Sequence, residues 1–76
     1  MKKKTVYSRI NMKRFRMERM LTQDDIAKII GCSRQTYSNI ERGYTDGTYL
    51  FWLAFKVRLN VTDEEMWSII EKERCE

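Results

Sequence analysis

The chain has 76 residues, a formal net charge of +4, no histidine and two cysteines. This length suits one domain with a modest core and excludes a multidomain protein. The lack of histidine and the wide separation of Cys32 from Cys75 argue against a metal site, a cofactor or an enzyme active site, and indicate two free thiols.

The first part of the chain is strongly basic. Residues 1–20 contain eight basic side chains and one acidic side chain, whereas residues 43–76 contain four basic and seven acidic ones. We expect residues 1–7 to form a flexible basic arm. The charge asymmetry favours a polyanion approached from one side, although a solvated basic helix face would give the same pattern.

A secretory or membrane protein is not indicated. Lys2–Lys4 would suit the start of a signal peptide, but basic residues between Arg9 and Arg19 occupy the place of its apolar stretch. No segment is apolar for long enough to span a bilayer, so we expect a cytoplasmic protein with no membrane partner.

Five helices are predicted, with limits near 8–20, 22–31, 33–43, 48–59 and 62–70. Thr22, Ser33 and Thr62 have the character of N-caps, and Gly31 and Gly43 end the second and third helices. Residues 71–76 are expected to form a charged, frayed tail. No β-structure is expected, because no run alternates cleanly at period two.

Residues 22–42 carry the strongest pattern in the chain. Gly31 supplies the positive φ that a tight turn needs, and Ala27, one turn earlier, leaves room for the next helix to cross. The inner positions are apolar: Ile26, Ile30, Cys32, Tyr37 and Ile40. Together these constraints predict two short helices that pack at a steep angle.

This window resembles the helix-turn-helix of the Cro and phage-repressor (Xre-type) family. The matching segments are Thr22-Gln23, Ile26-Ala27, Gly31-Cys32-Ser33, Ser33-Arg34-Gln35-Thr36 and Ile40-Glu41-Arg42-Gly43, with Phe15-Arg16 in helix 1. The resemblance implies an all-α, five-helix, lambda-repressor-like DNA-binding domain over residues 8–70. It also implies that helix 3 enters the major groove of double-stranded DNA, usually as part of a dimer.

Helix 3 is therefore the predicted recognition helix. With Tyr37 and Ile40 facing the core, its outward stripe holds the expected base contacts, which are Arg34, Gln35, Ser38 and Asn39. Arginine can form two hydrogen bonds to guanine, and glutamine or asparagine can form two to adenine. The alternative is an ordinary polar surface stripe, and the helix-turn-helix context favours base contact.

Other residues are expected to hold the DNA backbone. The resemblance implies a phosphate contact by Gln23 at the start of helix 2, where free N–H groups favour anions. Thr36, Arg42 and Tyr44 are further phosphate candidates, although Tyr44 could equally cover the core edge. The basic arm and the basic residues of helix 1 could add attraction without sequence information, and the sequence does not decide which of them face DNA.

Arg16 and Glu41 have a different implied role. Both match family positions that form an ion pair between helix 1 and the end of helix 3. Such a pair would fix the angle of the recognition helix without touching DNA.

Helix 4 departs from the family pattern. Residues 50–55 are apolar almost all round, Lys56 and Arg58 stand where relatives usually have small residues, and Gly47 replaces the usual proline. Large aromatic side chains could compensate for a small core, or helices 4 and 5 with Trp67 could form a dimer interface. A two-fold dimer would set its recognition helices about 34 Å apart, which is one turn of DNA.

The predicted function is that of a sequence-specific transcriptional regulator, and the resemblance implies a repressor that binds a palindromic operator as a homodimer. It also points to an origin in a phage or another mobile element. The alternative is an antitoxin or protein-interaction module that binds a partner and represses its own operon. No small-molecule ligand is indicated, and no enzyme activity is expected, because a nucleophile–base pair is lacking.

Overall fold

The computed structural model describes residues 6–75, and for residues 6 and 75 it describes the backbone alone. Its five helices are α1 Ile10–Glu18, α2 Gln23–Ile30, α3 Arg34–Glu41, α4 Tyr49–Arg58 and α5 Asp63–Ile70. Two short strands, β1 Val6–Ser8 and β2 Glu73–Cys75, stand at either end of this series. The predicted all-α, five-helix, lambda-repressor-like fold is confirmed.

Four of the helices begin with a hydroxyl side chain that accepts a backbone hydrogen bond. Thr22, Ser33, Thr48 and Thr62 each accept from the N–H three residues later. Such caps satisfy donors that have no partner within the helix, and each stabilises a helix by about 1 kcal/mol. Because these signals are local, the starts of α2 to α5 agree with the sequence prediction within about a residue.

Helix α1 is shorter than predicted at both ends. Its N-cap is Arg9, which provides no side-chain cap, and its last residue is Glu18. Met20 has φ 56°, and the N–H of Leu21 donates to the carbonyl of Arg16 at 3.3 Å. This left-handed turn ends the helix before the apolar pattern ends.

The core lies where the five helices meet. Its buried apolar residues come from every helix and from the α4–α5 connection: Met12, Phe15, Ile26, Ala27, Ile30, Tyr37, Ile40, Phe51, Phe55, Val61, Met66 and Ile69. Five aromatic rings in it or packed against it are in contact, with Phe15 and Phe55 centroids 5.6 Å apart and Phe51 and Trp52 centroids 4.9 Å apart. These rings supply much of the buried area of a small domain.

The strands form a feature that the sequence did not predict. They pair antiparallel, with Tyr7 opposite Arg74 and Ser8 opposite Glu73. The prediction of no β-structure is therefore wrong, and so is the assignment of residues 6 and 7 to a flexible arm and of residues 73–75 to a frayed tail. Residues 1–5, the rest of that predicted arm, lie outside the described residues.

This two-strand ribbon is anchored at the end of α3. The N–H of Arg9, directly after β1, donates to the carbonyl of Glu41 at 2.9 Å. Gly43 has φ 80°, and a Cβ at this position would overlap the carbonyl oxygen of Tyr7. Glycine is thus required here both by the backbone conformation and by the close approach of β1.

Candidate nucleic-acid interface

Helices α2 and α3 are joined by a tight turn with a capped helix on either side. The hydroxyl of Thr22 accepts from the N–H of Asp25 at 3.1 Å, while the Asp25 carboxylate accepts from the N–H of Thr22 at 3.0 Å. The hydrogen bond that its carboxylate accepts from the backbone N–H of Thr22 is the main cause that lowers the pKa of Asp25, and the Thr22 side chain and the charge of Lys28 add to it. Gly31, at φ 94°, ends α2, and Ser33 opens α3 by accepting from the N–H of Thr36 at 3.1 Å.

The exposed face of α3 carries three of the four predicted base-contacting residues. Arg34 and Gln35 are exposed, and Asn39 is half-buried. The side-chain N–H of Gln35 donates to Asn39 Oδ1 at 3.0 Å, so the two amides lie side by side. Arg34, at the start of α3, lines a groove with Thr22 and Gln23 at the start of α2. Donors and acceptors of the types that recognise base edges thus share one face of the helix.

Ser38 is the exception, because it is only 7% exposed. The prediction that it lies on the outward stripe is wrong. Ser38 lies one turn before Glu41, whose buried side chain faces α1, and residues three apart on a helix share a face. The buried arc of α3 therefore includes Ser38 and Glu41 as well as Tyr37 and Ile40, and the exposed stripe is narrower than predicted.

Arg16 and Glu41 form an ion pair between α1 and the end of α3, with Arg16 Nε 3.0 Å from Glu41 Oε2. Their side chains are 12% and 5% exposed. Arg16 also donates to the carbonyl of Leu21 at 2.8 Å, and its hydrogen bond with Glu41 raises its pKa. Loss of one partner would leave a buried charge uncompensated, which typically costs about 3–5 kcal/mol.

Two other residues touch this pair. The amide of Gln23 donates to Glu41 Oε1 at 3.3 Å, so the side chain predicted to contact a phosphate is already held at the start of α2. Tyr37 is fully buried, and its hydroxyl has no well-formed hydrogen bond with a described residue. Burial, and then the nearby Glu41, raise the pKa of Tyr37, so it stays neutral.

The remaining phosphate candidates are all exposed. Thr36 lies in the first turn of α3, where its hydroxyl accepts from that of Ser33 at 2.8 Å. Arg42 follows α3 directly, and Tyr44 is 67% exposed. Tyr44 does not cover the core edge, which was the alternative left open by the sequence.

Arg9 is a buried residue that the sequence grouped with the surface charges of helix 1. It is 2% exposed, and its guanidinium donates to three backbone carbonyls: Ile40 at 2.6 Å, Ile70 at 2.9 Å and Thr45 at 3.0 Å. The guanidinium also lies 3.5 Å from Asp46 and 5.3 Å from the Trp52 ring centre. Arg9 thus joins the ends of α3 and α5 to the α3–α4 loop.

Burial lowers the pKa of Arg9, and the carboxylate of Asp46 partly offsets that effect. Asp46 is itself bound by Lys72, whose Nζ is 3.0 Å from its carboxylate oxygen. The hydrogen bond from Lys72, followed by the charges of Lys72 and Arg9, lowers the pKa of Asp46. Through Asp46 and Lys72, the α3–α4 loop therefore contacts the segment that follows α5.

A second exposed surface lies on α4 and α5, away from the turn. Here a groove of about 450 Å³ is lined by Tyr49, Trp52, Leu53, Lys56, Asp63, Met66, Trp67 and Ile70. Tyr49 is 77% exposed and Trp67 is 78% exposed, and Leu50 and Val57 are also exposed. Helix α4 buries Phe51 and Phe55 in the core and leaves these other large apolar side chains outside.

Residues 6–75 contain no group of three or more histidine, cysteine, aspartate or glutamate side chains placed to hold a metal ion. Within this range, none of the helices has the length and apolar character required to cross a membrane. Cys32 is a free thiol, and burial raises its pKa.

The comparison with protein families agrees with this geometry. Residues 12–46 match the helix-turn-helix family model, and that segment runs from α1 through the turn and α3 to Asp46. Neither the curated proteins nor the solved structures gave a significant match to the chain. Residues 12–46 are thus similar to the Cro and repressor type of helix-turn-helix, as the sequence predicted, and this match supports a DNA-binding regulator.

Proposed function

We propose that the protein is a sequence-specific transcriptional repressor that binds a palindromic operator as a homodimer. The observation that carries the proposal is the pair of amides on the outer face of α3, with Gln35 3.0 Å from Asn39, beside the exposed Arg34. These side chains would read base edges in the major groove, each well-formed pair contributing about 1–3 kcal/mol of discrimination. Such a regulator would work in the cytoplasm, where its DNA lies.

Contacts to the DNA backbone would fix the position of α3. Thr36, Arg42 and Tyr44 are exposed around α3, and Gln23 is held at the start of α2 by its bond to Glu41. Backbone contacts carry no sequence information directly, but they set the register of the helix in the groove. The buried Arg16–Glu41 pair would set its angle.

The apolar groove of α4 and α5 would hold the second copy. Exposed apolar surface of this kind commonly marks association, and a two-fold axis through it would present two recognition helices to one face of DNA. A partner protein on the same groove, as in an antitoxin, is the second candidate function. The exposed Trp67 favours association in either case.

In vitro selection of duplexes bound by the purified protein tests this function. We expect two inverted half-sites whose centres are one helical turn apart, or a multiple of it. Asn39→Ala should weaken binding by about 1–3 kcal/mol and relax preference at particular base pairs, whereas Ser38→Ala should leave that preference unchanged because Ser38 is buried. Failure to enrich any sequence, or an equal loss for Asn39→Ala on random DNA, would contradict the proposal.

A further inference from the structure

A cleft of about 430 Å³ lies where the end of β1, the start of α1, the start of α2 and the end of α3 meet. Its wall contains four cationic side chains, Arg9, Lys13, Arg16 and Arg42, and one carboxylate, that of Glu41. Anions are favoured wherever cations outnumber acids in a concave surface, because the walls focus the field.

The four cations differ in whether a carboxylate already neutralises them. Arg16 is paired with Glu41 at 3.0 Å, and Arg9 is buried with Asp46 at 3.5 Å. Lys13 and Arg42 are exposed, and no acidic side chain within residues 6–75 lies at ion-pair distance from either. These two charges therefore remain available to a ligand.

The position of the cleft indicates the class of ligand. It includes Gln23 and Arg42, both of which are proposed to contact the DNA backbone, so Lys13 adds a cation from α1 to the same wall. The first turn of α1 contains no acidic residue, and Arg9 supplies no side-chain cap, so the helix start also favours an anion.

The other exposed cations of α1 face elsewhere. Arg14 and Arg19 border a separate cleft against α5, together with the carboxylates of Glu18 and Glu65. Helix α1 thus presents one side to α2 and α3 and another to α5, and only the first side continues the proposed DNA-contacting surface.

We propose that Lys13 and Arg42 together hold one backbone phosphate of double-stranded DNA, with Lys13 as the contribution of α1. This inference rests on the proposed function, since it adds a contact to the same bound duplex. Bound DNA would then reach past α3 to the start of α1, and Lys13, but not Arg14, would contact it.

The salt dependence of binding to a mixed-sequence duplex tests this. Wild type, Lys13→Gln and Arg14→Gln would be compared, because both variants remove one exposed charge from neighbouring positions of the same helix. Because Arg42 would still face the phosphate, loss of the Lys13 charge should flatten the slope of log binding constant against log salt concentration by up to about 0.9 for Lys13→Gln, with no change for Arg14→Gln. Thermal unfolding midpoints of both variants that equal the midpoint of wild type would show that the fold is intact.

Ethylation interference on the selected operator gives a second readout that a structural role would not move. Ethylation of one phosphate in each half-site should impair binding by wild type and by Arg14→Gln more than binding by Lys13→Gln, in which only Arg42 still holds that phosphate. If wild type binds no duplex, the proposed function itself fails. If wild type binds and Lys13→Gln keeps both its slope and its interference pattern, or if both variants change alike, only the phosphate site is overturned.

Discussion

Arg9 is a buried charged residue at the point where the ends of α3 and α5 meet the α3–α4 loop. Its three carbonyl partners belong to the end of α3, the end of α5 and the α3–α4 loop. The last carbonyls of a helix lack donors within the helix, and a nearby cation also favours the negative end of the helix dipole. One side chain therefore satisfies the termini of two helices and fixes the loop beside the recognition helix.

Replacement of Arg9 by methionine should lower the free energy of unfolding by about 2–4 kcal/mol, because buried carbonyls would lose their donors. Arg9→Lys should restore only part of the loss, since an ammonium cannot match the planar fork of the guanidinium. Urea denaturation measures both effects, with Arg14→Met as the control at an exposed arginine. A loss no greater than that of Arg14→Met would show that Arg9 is not a structural link.

Asp46 gives the fold a dependence on acid pH. Its pKa is lowered by Lys72 and by Arg9, so its contribution to stability is present above the ordinary aspartate pKa of about 3.9 and is lost as the pH falls through the lowered value. Asp46→Asn should be less stable than wild type at neutral pH and should approach it at strongly acid pH. Lys72→Gln should reduce the same difference, because Lys72 is its main cause. Parallel urea midpoints of wild type and Asp46→Asn at every pH would contradict this.

At the residue scale, the sequence predicts burial that follows from helical spacing better than burial that depends on distant neighbours. Gln35, Asn39 and the buried Tyr37 follow from helical spacing alone. Ser38 and Arg9 do not, because their burial depends on neighbours that are distant in sequence: Glu41 is drawn inward by Arg16, and Arg9 is enclosed by three element ends.

The α2–turn–α3 unit was predictable because each of its signals lies within a few residues. Thr22 and Ser33 cap the helices, and Gly31 ends α2 in the left-handed conformation. The ribbon was not predictable for the opposite reason. Strands of three residues are too short to show alternation, and their pairing joins Tyr7 to Arg74, close to the two ends of the described chain.

Gly31 and Gly43 both have a positive φ, so a comparison of their alanine variants measures how much the close approach of β1 at Gly43 adds to the cost. Gly31→Ala should cost about 1–2 kcal/mol for its positive φ alone, since a Cβ there meets only Arg58 at 3.7 Å. Gly43→Ala should cost clearly more, because its Cβ would collide with the backbone of Tyr7. Chemical denaturation of both variants gives the comparison. Equal losses would mean that β1 moves away from α3 at no cost.

The whole molecule has two unlike surfaces. The α2–α3 side carries the polar groups proposed to face DNA, whereas the α4–α5 side exposes Leu50, Val57 and Trp67. Large apolar groups on a small domain are costly to leave in water, at roughly 25 cal/mol per Å² of apolar surface. The sequence left two roles open for the aromatic side chains of helix 4, which were to fill a small core or to form a dimer interface. Phe51 and Phe55 lie in the core, whereas the other large apolar side chains stay outside and are available for association.

Sedimentation velocity over a range of concentrations tests the proposed dimer. Wild type should shift from monomer to dimer, and Trp67→Lys or Leu53→Lys, at two residues that line the groove, should prevent that shift by placing a charge in the apolar contact. Met20→Lys is the matched control, because Met20 is 90% exposed shortly after α1 and does not line this groove. A monomer at every concentration would contradict the dimer and would favour a partner protein on the same surface.

The pairing of Tyr7 with Arg74 also has a consequence for the order of folding. Contacts between consecutive helices close short loops, but the ribbon must close a loop that includes all five helices, which costs more chain entropy. We therefore expect the helices to assemble first and the ribbon to join last and open first. In hydrogen exchange the amides of both strands should lose protection together, well before those of α2 and α3, so that the two strands can detach while the proposed DNA-contacting helices stay folded.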